Sequence, residues 1–187
     1  MSRAGYVLVG GRSSRMGRDK ALLPFRGGVL GQYVAGAVKA AAGSVVLVGD
    51  PAIYHELGYT VIADRYPGAG PLGGILTALR HSTAEWNLVA ACDMPGLEPE
   101  LLRRILETAE SSAADAVIPT GPEGRPEPLC AAYHRRSAEP LERALAAGQR
   151  KIMAAARDIR VETLSVEELT PFQNVNTPED WAGYGAE

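Results

Sequence analysis

A loop rich in cations follows the first apolar run of the chain. Residues 7–23 read VLVGGRSSRMGRDKALL, in which Gly10 and Gly11 end the apolar run. The basic stretch that follows contains four cations, Arg12, Arg15, Arg18 and Lys20, and one acid, Asp19. Because the whole chain has a net charge of −3, this local positive charge indicates a small anionic ligand rather than a nucleic acid.

Three phosphate-binding patterns can be compared with this loop. The dinucleotide fingerprint G-x-G-x-x-G fails because Gly10 and Gly11 are adjacent and the next glycine is Gly17. The Walker A pattern fails because Gly17 precedes Arg18 rather than a lysine. The chain instead resembles the loop of the nucleoside-triphosphate transferases, G-G-x(3)-R-M-G-x-x-K, at every fixed position: Gly10, Gly11, Arg15, Met16, Gly17 and Lys20.

The residue types of this loop suit a triphosphate. Paired glycines let the backbone approach a nucleotide closely, and the N–H groups of such a loop can face phosphates. Arg15 offers several donors in one plane, whereas Lys20 supplies a compact point charge. A solvated charged loop without a ligand is the alternative interpretation.

Composition limits the class of protein. The chain has 187 residues, of which 46% are hydrophobic and 22% charged, as expected for one globular domain over 1–187. No apolar run reaches the length of a membrane span, and no signal-peptide core is present. Cys92 and Cys130 lack paired spacing, which favours reduced thiols in a cytoplasmic protein. The three histidines are scattered and indicate no zinc cluster.

Apolar runs alternate with helical patterns, which predicts an α/β fold with three layers and a mostly parallel sheet. The predicted strands are 6–9, 44–49, 59–63, 86–92, 115–119, 128–133 and 161–165. The predicted helices are 29–42, 71–82, 98–112 and 135–148, the regular part of the last one starting at Pro140. Ligands bind at the carboxyl ends of strands in such sheets, which selects segments 10–20, 64–74, 92–95 and 119–128, the last as a mobile flap.

Five segments in order resemble the molybdenum cofactor guanylyltransferases. They are LVGGRSSRMGRDKALLP (8–24), GPLGGI (70–75), CDMP (92–95), EPLCAAYHRR (127–136) and FQNVNTPED (172–180). The resemblance implies a Rossmann-like nucleotidyltransferase that transfers GMP from GTP to the terminal phosphate of molybdopterin and releases pyrophosphate, with Mg²⁺ as cofactor. A molybdopterin cytidylyltransferase, another small-molecule nucleotidyltransferase of this fold and a nucleotide-binding regulator without turnover remain alternatives.

The same resemblance implies roles for single residues. The catalytic residues are Arg15, Lys20 and Asp93, and Asp93 is also the metal ligand. The nucleotide-binding residues are Leu8, Val9, Gly10, Gly11, Lys20, Asp50, Asp64, Gly73 and Asp93. Two of these depart from the family, since Val9 replaces an alanine and Asp50 an asparagine. Without the resemblance, Asp93 could be a helix cap or turn residue, and the loop from Asp64 to Gly73 could serve packing alone.

Asn174 and Asn176 are implied to bind the acceptor. Two residues apart in an extended chain, they point to one side and offer donors and acceptors to a pterin. The alternative is that both are turn asparagines without a ligand.

Thr177 is predicted to cap a following helix. Arg150 and Lys151 are either a solvated pair or ligands of the acceptor phosphate. The implied partners are GTP and molybdopterin, and neither a nucleic acid nor a membrane is expected. Transient contacts with cofactor-delivery proteins are compatible with this expectation.

Overall fold

The computed structural model describes residues 1–10, 19–167, 170–175 and 180, and the fold is built on a seven-stranded sheet. In chain order its strands are β1 (Arg3–Leu8), β4 (Val46–Val48), β5 (Thr60–Ile62), β6 (Trp86–Ala91), β7 (Ala116–Thr120), β8 (Cys130–His134) and β9 (Val161–Ser165). A separate two-stranded hairpin joins β2 (Pro24–Phe25) to β3 (Gly28–Val29). Every strand predicted from the sequence is present.

The strand order is β5-β4-β1-β6-β8-β7-β9, and four of the six pairings are parallel. Strand β8 is antiparallel to both of its neighbours, β6 and β7. Strand β6 lies at the centre of the sheet, and all six of its residues are buried. Apart from Asn87 its residues are apolar, and a nearly continuous apolar run is typical of a strand covered on both faces. The prediction of a mostly parallel sheet is confirmed.

Helices cover both faces of the sheet and give the three predicted layers. They are α1 (Leu30–Ala42), α2 (Pro51–Tyr54), α3 (Pro71–His81), α4 (Pro99–Ser111), α5 (Ala138–Ala146) and α6 (Ile152–Ala155). The apolar sides of α1 and α4 belong to one core cluster, and those of α3, α5 and α6 to the other. Within the described residues, none of the helices is both long and apolar enough to span a membrane.

Helix α5 begins at Ala138, so the prediction that its regular part starts at Pro140 is wrong. A proline is tolerated in the first turn because the N–H groups there have no partner within the helix. The predicted helix start at Thr177 lies outside the described residues. That residues 1–187 form one domain stays a prediction.

Asp115 links strands β7, β8 and β9 at one edge of the sheet through two ion pairs. Asp115 precedes β7, and its carboxylate forms ion pairs with Arg136, just after β8, and with Arg160, just before β9. Burial by itself raises the pKa of Asp115, but the hydrogen bonds from both arginines outweigh it and hold this pKa below its usual range. This cluster lies away from the loops that bear the predicted site.

Candidate active site

A cavity of about 1220 Å³ opens at the carboxyl ends of the parallel strands β1, β4, β5 and β6. Its walls come from Leu129 and from residues within 8–10, 19–20, 48–54, 63–74 and 91–93. Three of the four segments that the strand-end rule selected therefore contribute to one cavity. From the fourth segment, 119–128, no described residue lines it, and the mobility of that loop stays a prediction.

Lys20 and Asp93 meet in the wall of this cavity. The Lys20 Nζ atom lies 3.0 Å from Asp93 Oδ2, although 73 positions separate the residues in the chain. Both side chains are partly shielded, with 16% and 21% of their surface exposed. Lys20 begins a short 3₁₀ turn, Lys20–Leu22, and Asp93 follows the end of β6 closely. Two of the three predicted catalytic residues are therefore adjacent; the third, Arg15, lies outside the described residues.

The end of β1 forms the floor of the cavity. Leu8, Val9 and Gly10 all line it, and their role in nucleotide binding stays a prediction. The Val9 amide donates to Val48 O at 3.0 Å, which continues the pairing of β1 with β4 as far as Val9. Gly10 has a φ of +92°, a conformation that residues with a side chain rarely adopt. Its partner in the motif, Gly11, lies outside the described residues.

Asp50 caps the short helix α2. Its Oδ1 atom accepts the Ala52 amide at 2.9 Å, and Pro51 occupies the first helical position. The residue is exposed and lines the cavity beside the end of β4. Capping uses one oxygen, so the carboxylate keeps acceptor capacity for a ligand.

Asp64 ties the loop after β5 to α3. Its Oδ1 atom accepts hydrogen bonds from the Tyr66 amide at 2.9 Å and from the Thr77 hydroxyl at 2.8 Å. The residue also lines the cavity. Gly73 is not among the described residues that line the cavity, whereas Gly74 is. A Cβ atom at Gly73 would lie 2.9 Å from Tyr66 O, so this glycine permits close packing of loop and helix.

Asn174 lies on a segment that is bound to the backbone of Asp93. The amide of Val175 donates to Asp93 O at 2.9 Å. The Oδ1 atom of Asn174 is buried and has no hydrogen-bond partner among the described residues. Buried polar atoms of this kind usually find a partner, so the orphaned oxygen is a candidate contact for a ligand. Asn176 lies outside the described residues.

The late basic pair lies near the same cavity. Arg150 Nη1 donates to Gly68 O at 2.5 Å, and Gly68 belongs to the cavity wall. Lys151 is exposed at the start of α6. Arg150 is therefore held at the loop after β5, which places its charge at the rim of the cavity.

Sequence reasoning missed Tyr54 and Asp19 as parts of this site. Tyr54 is 2% exposed, and its hydroxyl donates to Asp19 Oδ2 at 2.5 Å. Both residues line the cavity. Asp19 also falls at an aspartate of the resembling family's loop signature, a signal that could have found it, whereas Tyr54 belongs to no pattern that carries chemistry.

Cys92 also lines the cavity, but it is a poor nucleophile. Burial raises the pKa of its thiol to about 12, so the thiol stays protonated. Among the described residues, no group of three or more His, Cys, Asp or Glu side chains could hold a metal ion. Mg²⁺ typically needs only one or two carboxylates when phosphate oxygens complete its shell, and Asp93 fits that requirement.

The fold and this cavity are those of a nucleotidyltransferase, and comparison with known proteins gives the family. Residues 5–161 match the family model of the MobA-like NTP transferase domain. The chain belongs to this family, and the enzyme class expected from the sequence is confirmed.

The relatives of the chain match it over nearly their whole length. A Geobacillus protein named "Probable molybdenum cofactor guanylyltransferase" is 32% identical to this chain, in an alignment that covers 95% of each chain. The crystal structure of molybdopterin-guanine dinucleotide biosynthesis protein A from Archaeoglobus fulgidus superposes with a TM-score of 0.84 at 34% identity, covering 97% of this chain and 96% of that one. The sequence-based assignment to this family is therefore confirmed.

A more distant neighbour supports the fold alone. A Mycobacterium tuberculosis protein solved as a complex with manganese superposes with a TM-score of 0.70 at 20% identity, with 98% of both chains covered.

Proposed function

We propose that this protein transfers GMP from GTP to the terminal phosphate of molybdopterin, forming the guanine dinucleotide cofactor and pyrophosphate. The observation that carries the proposal is the meeting of Lys20 and Asp93 in a cavity at the strand ends. A cation and a carboxylate side by side suit a triphosphate and the metal ion that accompanies it. The names of the relatives supply the nucleotide and the acceptor.

The transfer of GMP requires little covalent chemistry from the protein itself. An oxygen of the molybdopterin phosphate attacks the α-phosphorus of GTP, and the bond from that phosphorus to the bridging oxygen of pyrophosphate breaks. Lys20 stabilises negative charge on the phosphoryl oxygens, and Arg15 is proposed to assist it. Asp93 would hold Mg²⁺, which would supply positive charge to offset the negative charge of the phosphates.

The nucleotide base is proposed to lie between Gly10 and Asp50. Gly10 carries no methyl group, so the edge of a purine can approach the backbone at the end of β1. Guanine presents two adjacent N–H donors, and a carboxylate such as that of Asp50 accepts from them well. Asp64 holds the loop that closes this side of the cavity.

The acceptor is proposed to bind on the other side of Asp93, where Asn174 lies. The buried oxygen of Asn174 can accept from the ring N–H or the amino group of a pterin. Asn176 would act with it. A cytoplasmic location is also proposed, since Cys92 and Cys130 are free thiols. Proteins that deliver the cofactor would then make transient contacts with the protein near the acceptor site.

Turnover with purified components tests the proposal. The protein is incubated with Mg²⁺, molybdopterin and either GTP or CTP, and the dinucleotide product and pyrophosphate are quantified. Guanine dinucleotide formation is the expected result. Product from CTP alone would support the cytidylyl alternative, and tight nucleotide binding without any product would support the regulator.

A further inference from the structure

Tyr54 is a buried residue in the wall of the cavity. It is the last residue of α2, and its ring lies close to Gly10 and Gly49, which follow the ends of β1 and β4. A Cβ atom at Gly49 would lie 2.9 Å from Tyr54 Cε2, and one at Gly10 would lie 3.1 Å from its hydroxyl oxygen. Side chains at these two positions would crowd the ring, and at Gly49 also Val9, so the ring is closely packed against both strand ends.

The hydroxyl of Tyr54 connects this buried ring to Asp19, at the end of the basic loop. It donates to Asp19 Oδ2 at 2.5 Å, while Asp19 Oδ1 accepts the Ala21 amide at 3.0 Å. Asp19 thereby caps the Lys20–Leu22 turn, from which Lys20 reaches Asp93. Burial and the hydrogen bond to Asp19 raise the pKa of Tyr54, so the hydroxyl keeps its proton and remains a donor.

We propose that Tyr54 is a positioning residue, whose hydroxyl fixes Asp19 and thereby holds the ammonium group of Lys20 at the reacting phosphates. The inference rests on the proposed function for its catalytic consequence and on the hydrogen bonds above for its geometry. A donor aids phosphoryl chemistry most when it is already in place before charge develops, because no energy is then needed to reorganise it. Removing the hydroxyl leaves Lys20 present but less well oriented.

The first test uses Tyr54→Phe, which keeps the ring and removes the hydroxyl. Because the variant loses a hydrogen bond to a charged group, its kcat should fall by about tenfold or more. The KM for GTP should change by less than about twofold, because the binding surface of the cavity is kept. The matched control is Tyr33→Phe, which removes a hydroxyl that accepts from Arg26 outside the cavity. It should leave kcat unchanged.

A double-mutant cycle identifies the residue through which Tyr54 acts. In a Lys20→Ala background, Tyr54→Phe should cause little further loss of kcat, because the group that it positions is already gone. An equal loss in both backgrounds, or a wild-type kcat for Tyr54→Phe alone, would overturn the proposal.

A substrate-independent measurement separates this proposal from the proposed function. Lysines of the folded protein are labelled briefly with an amine reagent, and each site is quantified by mass spectrometry, with the exposed Lys39 and Lys151 as internal references. Tyr54→Phe should raise the labelling of Lys20 severalfold relative to these references, while the thermal midpoint stays close to that of the wild type. An unchanged ratio contradicts the positioning role, whether or not the wild type makes the guanine dinucleotide.

Discussion

Lys20 Nζ and Asp93 Oδ2 lie 3.0 Å apart, so the cation proposed for the triphosphate and the carboxylate proposed for the metal ion also contact each other. Each side chain is partly shielded from water, which strengthens their interaction over that of an exposed pair. A nucleotide with its metal ion must therefore compete with an existing ion pair. Variants at either residue are expected to change the other's surroundings as well as the chemistry.

Replacing Lys20 by alanine should lower kcat by about 10² or more, because one preorganised positive charge is lost. The fold should survive, since the side chain is at the surface of the cavity. Steady-state turnover is the measurement, with Lys39→Ala as the control, a lysine exposed on α1. Equal kinetics for Lys20→Ala and wild type, in a correctly folded variant, would rule out the catalytic role.

Replacing Asp93 by asparagine should nearly abolish turnover and weaken the Mg²⁺ dependence of GTP binding. A neutral amide is a poorer ligand for a hard cation than a carboxylate. Calorimetric titration of GTP with and without Mg²⁺ measures the effect. The control is Asp158→Asn, on an exposed turn. If Asp93→Asn keeps the full Mg²⁺ effect, the metal is held elsewhere.

The wild type should prefer GTP to CTP by at least about tenfold in kcat/KM, since hydrogen bonds to the base discriminate strongly. Asp50→Ser tests the proposed contact. Serine also caps helices well, so α2 should keep its start while the carboxylate near the base is lost. The variant should show a reduced preference for GTP. An undiminished preference would remove Asp50 from base recognition and leave Gly10 and its neighbours as the determinant.

Replacing Asn174 by alanine should weaken molybdopterin binding severalfold or more, because a buried hydrogen-bonding partner of the acceptor is lost. GTP binding should stay close to normal, since Asn174 is outside the described cavity wall. Separate titrations of the two ligands into the folded variant distinguish the two sites. A defect confined to GTP binding would show that the acceptor lies elsewhere.

The ion pairs of Asp115 should make stability depend on acid pH. Because the pKa of Asp115 is lowered in the folded state, its contribution is complete above the ordinary pKa of about 4 and is lost as the pH falls towards the lower folded value. Asp115→Asn should therefore destabilise the protein by about 1–3 kcal/mol at pH 7 and by less at pH 3.

Urea unfolding at both pH values measures that difference. The control is Glu139→Gln, whose exposed pair with Arg143 on α5 should contribute little at either pH. A constant difference between wild type and Asp115→Asn from pH 7 to pH 3 would contradict the assignment.

The α/β class and nearly all of its longer elements could be predicted because they depend on local periodicity. The apolar run of β6 and the helical spacing of α4 are visible in short windows of sequence. The antiparallel direction of β8 could not be predicted in this way. A short apolar run looks alike in either direction, and its pairing with β6 and β7 is decided by the loops and by packing across the sheet.

The sequence by itself determined which residue types are available at the site: the glycine-led basic loop with Lys20, the Asp93 that follows a strand, and the family that these motifs identify. Only the tertiary structure decided which of them meet. Tyr54 reaches Asp19 across 35 positions and Lys20 reaches Asp93 across 73, through the packing of separate strand ends. The physical reason is that spacing along the chain encodes local geometry, whereas contacts between distant residues follow from how the hydrophobic core brings strands and helices together.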